Sequence, residues 1–386
     1  MYTLQSVLKF FKNINPAMQT YLLCLLLARG RKNCAAMAES TGLSQKKLYE
    51  FLNNSKQNNE SIEQILFDVA KETRDKGNLR ALVLDPTAIL KPYSKKIESA
   101  CYEKAGSTKR VERCLVPVYM VVVDKRITIP LSCEFWVQEK ITGKRKYKSK
   151  IEITKELILL AIKKGIEFDY VSLDGAFAVD EMFTFFRENN LKFIVRIPKN
   201  RRITTLDGTS MQLKHHPALK LKRNEREKLA VGKIREHEYF FTSEKRKTQD
   251  NSWEVVFLAS NMELSAKEQI SAYNLRWPVE KVIRTTKQKF GTMQSQVLKQ
   301  EKQRAHILAG FLAYTLASLI KNDKKKKSVD EVVNALRKLN YTDLFAAMRN
   351  KERRHYNEHD DSDVKMIQNH LPILNDYRDL IGLMAN

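Results

Sequence analysis

Hydrophobic positions recur with two different periods along this chain, and the change of period divides it. Up to about residue 75, apolar residues fall three and four apart, as in Val7, Phe10 and Phe11 and again in Tyr21, Leu22, Leu25 and Leu26. That spacing belongs to helices burying one face. From Leu82 the texture changes to short β-branched runs at 81–89, 114–124 and 127–137, followed by a helical pattern at 153–165 and a further apolar run, 168–174. A helix at 179–189 and a strand at 192–197 continue an α/β layout with a central mixed sheet. Residues 198–262 hold more strand-like pieces, an Asp207-Gly208 turn and a Lys/Arg-rich centre, and read as a β-rich insertion.

After the insertion, Ser265-Ala266-Lys267-Glu268 forms a capping box, which predicts a long helix reaching about residue 289. The run 307–320, ILAGFLAYTLASLI, is too short at 14 residues for a bilayer, which needs about 20, and reads as a buried helix. A lysine-rich break at 321–327 precedes a helical, charged tail. The expected organisation is a helical domain (1–75), an α/β core in two parts (80–197 and 263–320) split by the insertion (198–262), and a helical C-terminal region (328–386). Within the first segment, Ala38, Gly42, Leu43 and Ser44 lead into a helix carrying Leu48, Phe51 and Leu52. This is the spacing of a helix-turn-helix at 35–52, with Gly42 free to take the positive φ of a tight turn; an ordinary helix hairpin fits equally. Ser44, Lys46 and Lys47, at the start of its second helix, are candidate DNA contacts.

Charge then narrows the partners. Lys and Arg number 69 against 45 Asp and Glu, a formal net charge of +24, and such an excess calls for an anionic partner. The basic clusters Lys144-Arg145-Lys146-Tyr147-Lys148, Arg201-Arg202 and Lys245-Arg246-Lys247 suit phosphate contacts. Five cysteines, an odd number with no C-x-x-C pair, disfavour a disulfide framework or a structural zinc site and read as buried thiols. No secretory signal is visible at the start, so a cytoplasmic protein without membrane contact is expected.

Two acids stand out against this basic background. Asp85 closes the run LVLD and Asp174 closes VSLD, so each carboxylate is placed at the rim of a sheet. Either alone also suits a turn or a cap. A third candidate lies in SAYNLRWPVEKVIRTTKQK, where Tyr273, Arg276, Glu280 and Lys287 follow one another by three, four and seven residues. On one continuous helix these offsets fall within an arc of about 60°. Pro278 either starts a fresh turn at Trp277 or kinks that helix.

Asp85, Asp174 and the Tyr-x-x-Arg-x-x-x-Glu-x-x-x-x-x-x-Lys pattern at 273–287 resemble the DDE transposases of bacterial insertion sequences. The order of elements, and Trp277 after Arg276, is similar to the branch named after insertion sequence four. The resemblance covers roughly 82–290 and implies a ribonuclease-H-like fold interrupted by a β-rich insertion before the glutamate. Glu280 follows Asp174 by 106 positions, which leaves room for one. By the same resemblance Asp85, Asp174 and Glu280 form a catalytic triad for two Mg²⁺ ions, with Mn²⁺ able to substitute. Tyr273, Arg276 and Lys287 then grip phosphates near the cleaved end, and Trp277 stacks a flipped base. The partners implied are double-stranded DNA, at transposon ends and target, and a second copy of the chain on that DNA, with 329–384 as candidates for the contact. Two departures from the family pattern are Pro86-Thr87 after the first acid and Gly175-Ala176-Phe177 after the second.

Other strand-transfer chemistries lack their motifs. There is no His-x-His pair, no His-x-x-Arg and no G-x-x-x-x-G-K-[ST], so ATP hydrolysis is unsupported and no nucleotide cofactor is expected. A metal-dependent nuclease that does not join DNA, and a DNA-binding repressor derived from a transposase, remain open alternatives.

Overall fold

The structure, a computed structural model, describes residues 14–337 apart from 107, 144, 145, 249, 324, 325 and 327. The expected helix around Val7–Phe11, Lys144 and Arg145 of the first basic cluster, and most of the C-terminal region lie outside the described residues.

Four helices come first: α1 (Pro16–Leu27), α2 (Cys34–Thr41), α3 (Gln45–Asn53) and α4 (Ser55–Glu72). Asn15 caps α1 by accepting from the Met18 amide at 2.8 Å, and Pro16 takes a first-turn position where no donor is needed. Helix α2 ends at Gly42, whose φ of 68° lets its amide reach back to Ala38 O. A tight turn through Gly42 thus joins α2 to α3. Ser44 stands at the N-cap of α3 as expected, but its side chain makes no capping bond.

The sheet follows, with β1 (Ala81–Pro86), β2 (Ile89–Leu90), β3 (Cys101–Lys104), β4 (Val111–Val123) and β5 (Thr128–Trp136), then α5 (Lys150–Lys163), β6 (Tyr170–Leu173), α6 (Asp180–Glu188) and β7 (Phe193–Ile197). Its central order is β5-β4-β1-β6-β7, with β4 antiparallel to both neighbours and β1, β6 and β7 mutually parallel. This is the ribonuclease-H-like mixed sheet. The insertion adds β8 (Arg202–Thr204), β9 (Ser210–Gln212), β10 (Glu227–Ile234), β11 (His237–Lys247) and β12 (Trp253–Ser260). Because β12 returns antiparallel to β7, the insertion prolongs the core sheet instead of forming a separate one. Strands β3 and β10 escape the sequence pattern: one is four residues of mixed polarity, and the other buries Ala230 and Gly232 where a strand normally shows large apolar residues.

One expectation is corrected. The helix opened by the Ser265/Glu268 capping box is not continuous to residue 289 but two helices, α7 (Ala266–Asn274) and α8 (Trp277–Gln288). Pro278 lacks the amide needed to continue α7, so α8 begins afresh with proline in its first turn. The apolar run lies inside α9 (Gln300–Asp323) and is buried throughout, and α10 (Val329–Leu336) closes the described chain. No helix among the described residues is long and apolar enough to cross a membrane. All five cysteines are buried and free.

The N-terminal helices share the core of the catalytic sheet. Helices α1 and α4 pack on α9, and α4 also meets β5. The Tyr21 ring stacks on Phe51 with centroids 4.3 Å apart, and its hydroxyl meets His306 Nδ1 at 2.7 Å. His306 Nε2 lies 2.8 Å from Gly291 O, which can only accept, so Nε2 carries the proton and Nδ1 receives the Tyr21 hydroxyl. Burial lowers the imidazole to about 4 and keeps it neutral.

At the amino ends of the strands, Arg80 enters β1 through a buried network. Its guanidinium bonds Asp124 Oδ2 through Nε (3.0 Å) and Nη2 (2.8 Å), with Ala70 O and Thr73 O taking two further bonds. Asp124 in turn accepts from the Arg126 and Ile127 amides through Oδ1.

Candidate active site

Register carries the two aspartates to one place. In the parallel β1/β6 pair, Ala81 lies opposite Tyr170 and Val83 opposite Ser172. Extending that pairing, four residues beyond Ala81 is Asp85 and four beyond Tyr170 is Asp174. The paired residues end at Val83 and Ser172, and neighbouring strands run about 4.8 Å apart, so the two aspartates leave the sheet at the same edge. Asp174 follows the last residue of β6 and begins the short 3₁₀ turn Gly175–Phe177. A third anchor is the Tyr170 hydroxyl, which donates to Ala272 O at 2.8 Å and ties the end of α7 to the Asp174 strand. The chain leaving α7 reaches the carboxyl edge of the sheet at Arg276, which stands beside Asp85.

Helix α8 brings Glu280 there. Arg276, its N-cap residue, donates through Nη2 to Glu280 Oε1 at 2.8 Å, and its Nη1 stands 3.6 Å from Asp85 Oδ2. The second distance is an ion pair too long for a hydrogen bond. Arg276 thus bridges two of the three acids. Its side chain is 11% exposed against 20% for Asp85 and 43% for Glu280, and its buried Nε has no partner. Burial, opposed by Arg276 and reinforced by the charges of Asp174 and Glu280, pushes the Asp85 carboxyl up to about 7. Asp174 and Glu280 both lie near enough to Asp85 to repel its charged form.

Lys287, two turns along α8, donates to Thr87 Oγ1 at 2.6 Å and to Ala88 O at 2.8 Å. Burial lowers this ammonium to about 8 while Asp85 pulls the other way. Thr87 is a site residue that the sequence flagged only as a departure from pattern. Its hydroxyl is where the Glu280 helix is fastened to the Asp85 strand. An open groove of about 480 Å³ lies beside this contact, lined by Asp85, Thr87, Glu280, Arg284 and Lys287 among others.

Tyr273 and Trp277 differ sharply. Tyr273 is buried, its ring within reach of the Arg276 and Arg246 guanidinium carbons at 5.8 and 5.5 Å. Trp277 is 48% exposed, which removes it from the core, and its ring also lies 5.8 Å from Arg276. The helix break means that Tyr273 sits on α7 and does not share one continuous helical stripe with Glu280 and Lys287. Arg246, part of the third basic cluster, joins the site by bonding Asn274 Oδ1 at 3.1 Å.

The remaining candidates lie on other elements. Arg201 is paired with Asp180, which also holds Arg235, and Arg202 bonds Ser210 within the β8/β9 hairpin. Ser44 and Lys46 are exposed on α3, with Lys47 half-buried beside them.

Three carboxylates supply the hard oxygen donors that Mg²⁺ or Mn²⁺ prefer. Yet no group of three or more His, Cys, Asp or Glu side chains is arranged to hold a metal ion among the described residues. The chemistry fits and the geometry is unassembled, with the Arg276 cation lying between Asp85 and Glu280.

The family described as DDE superfamily endonuclease matches residues 9–231, more than half of the chain, and the chain belongs to that family. The matched stretch includes Asp85 and Asp174 and ends before Glu280. No curated protein matches the sequence.

Proposed function

We propose that this member of the DDE superfamily endonucleases is a transposase that binds terminal inverted repeats, cuts at the element ends and joins them to target DNA. The observation that carries the reading is the placement of Asp85 and Asp174 at the carboxyl ends of two adjacent parallel strands, with Glu280 joined to Asp85 through Arg276 from α8. In this reading Asp85, Asp174 and Glu280 hold two divalent ions, Mg²⁺ or Mn²⁺. Bound there, such ions activate an attacking oxygen and stabilise the leaving one in an in-line displacement.

The chain's own residues do the rest. Arg284 and Lys287 line the groove beside the carboxylates and present positive charge to a phosphate backbone. Arg276 offers a planar fork for a phosphate near the cleaved end, and Tyr273 sets its position from behind. Trp277, half-exposed at the rim, has a free face on which an unstacked base rests. Ser44, Lys46 and Lys47 contact the repeat from the helix-turn-helix, with Arg202 and the insertion clusters tracking DNA further out. The insertion-sequence-four-like branch, a homodimer on DNA and a place near the bacterial nucleoid belong to the same reading.

The test is cleavage of DNA carrying the element's flanks, with Mg²⁺ or EDTA, by wild type, Asp85→Asn and Glu280→Gln. Metal-dependent cuts at the ends are expected from wild type. Each variant should bind the same DNA and cut at least about a thousandfold more slowly, the scale of several kcal/mol of lost charge stabilisation. Undiminished cleavage by Glu280→Gln would sink the triad. Products cut but never joined would reduce the reading to a nuclease.

A further inference from the structure

Among the acids that would hold a divalent cation, a cation of the chain's own lies between two, Asp85 and Glu280. Arg276 bonds Glu280 through one terminal nitrogen and faces Asp85 with the other. Resting on the triad reading above, we propose that Arg276 is an internal counter-ion that keeps the metal out until DNA is bound. A phosphate of the DNA end draws the guanidinium off the acids, and the vacated carboxylates then take the divalent ion.

Four observations support this exchange. Arg276 is shared between two carboxylates, and Lys287, the other cation near Asp85, is engaged by Thr87 and Ala88, so two cations stand against three acids and leave room for a cation of higher charge. The Asp85 contact is 3.6 Å, beyond hydrogen bonding, and Nε is buried without a partner, so Arg276 is incompletely satisfied where it stands. The guanidinium lies 5.8 Å from the Trp277 ring, and that indole is half-exposed, so the group can turn toward solvent while keeping an aromatic neighbour. The groove that receives the backbone opens directly beside Asp85 and Glu280. An end-on phosphate fork would use the same two terminal nitrogens that face Asp85 and Glu280, so the phosphate competes with the acids for them. DNA and metal therefore each favour the state with Arg276 withdrawn, and by linkage each strengthens the other's binding by the same factor.

The experiment measures Mn²⁺ binding to the full chain by electron paramagnetic resonance of the free ion, in the absence and presence of a short blunt-ended DNA duplex, with the duplex alone as background. Wild type should bind Mn²⁺ roughly tenfold more tightly with DNA, and DNA roughly tenfold more tightly with Mn²⁺, within the usual range of coupling. Arg276→Met should bind Mn²⁺ tightly without DNA and gain little when it is added. Equal Mn²⁺ affinity of wild type with and without the duplex overturns the proposal and needs no variant to fold. Unchanged DNA-free Mn²⁺ affinity in Arg276→Met, with binding still weakened by Asp85→Asn or Glu280→Gln, overturns the exclusion but leaves the ligands standing. Mn²⁺ binding indifferent to Asp85→Asn and Glu280→Gln overturns the triad beneath it.

Discussion

Strand β1 carries an arginine–carboxylate arrangement at each end, and the two are built to opposite specifications. At its amino end, Arg80 and Asp124 are each 1% exposed, and four bonds from the guanidinium find Asp124, Ala70 and Thr73. Asp124 has its other oxygen filled by two backbone amides. At the carboxyl end, Arg276 has one good bond, one long contact and an orphaned nitrogen, and it faces two acids instead of one. The same chemical pair fixes a strand in one place and holds a site in an unresolved state in the other.

The difference follows from charge count and saturation. One cation matched to one anion with all lone pairs used has nothing to gain by rearranging, even though burying it was costly. Three anions with two partly engaged cations, Arg276 and Lys287, retain an electrostatic deficit that an incoming ligand can fill. A site that must accept metal and phosphate profits from that deficit, whereas a strand end profits from its absence.

The comparison breaks most visibly at Arg80. Arg80→Met leaves Asp124 buried and unpaired and should cost about 3–5 kcal/mol, read by urea unfolding. Adding Asp124→Asn keeps the acceptor for the Arg126 and Ile127 amides and should recover part of the loss. A cost below about 1 kcal/mol in the single variant would show that the saturated pair is not holding the strand.

A change at Asp85 should act in the other direction. Its carboxyl is raised from an ordinary value of 3.8 to about 7, so between pH 4 and 7 the folded chain holds a proton that the unfolded chain has released. The unfolded state binds fewer protons there, and stability falls as pH rises through that window. The contribution is complete below the unfolded value and lost above the folded one. In EDTA, Asp85→Asn should therefore match wild type near pH 4 and exceed it at pH 8 by about 2–4 kcal/mol. Equal stability at pH 8 would mean that burial does not hold the Asp85 carboxyl in its neutral form.

Much of this arrangement was legible in the sequence, and what was hidden has a common cause. Asp85 and Asp174 announce themselves because each ends an apolar run, and the Ser265/Glu268 capping box, Gly42 and the buried run within α9 are local patterns that tertiary contacts did not override. The split between α7 and α8 was half legible: Pro278 marked the place, but Leu275 and Arg276 are good helix formers with helical backbone angles that conceal a break. Pairings across long separations left no local trace. The return of β12 to β7, the bond between Arg80 and Asp124 and the diversion of Arg201 to Asp180 depend on which residues the sheet brings opposite one another. The two residues flanking Asp85 in this sense, Arg276 and Thr87, lie 191 positions beyond it and two beyond it.

Lys287 tests where the boundary between the two kinds of site falls. It lies in the groove with the acids yet spends two of its donors on Thr87 and Ala88, so it resembles Arg80 in saturation and Arg276 in location. Thr87→Val removes one of those acceptors and keeps the shape, and should cost about 1 kcal/mol of stability while leaving affinity for DNA unchanged. Lys287→Met removes both bonds and the charge. It should cost roughly 1–3 kcal/mol and also weaken DNA binding, with a slope against salt shallower by about one unit if the ammonium contacts a phosphate. Stability measured by urea and affinity measured across a salt series separate the two roles. A Lys287→Met variant that loses DNA affinity without losing stability would make this lysine a free phosphate ligand, and its bonds to the Asp85 strand incidental.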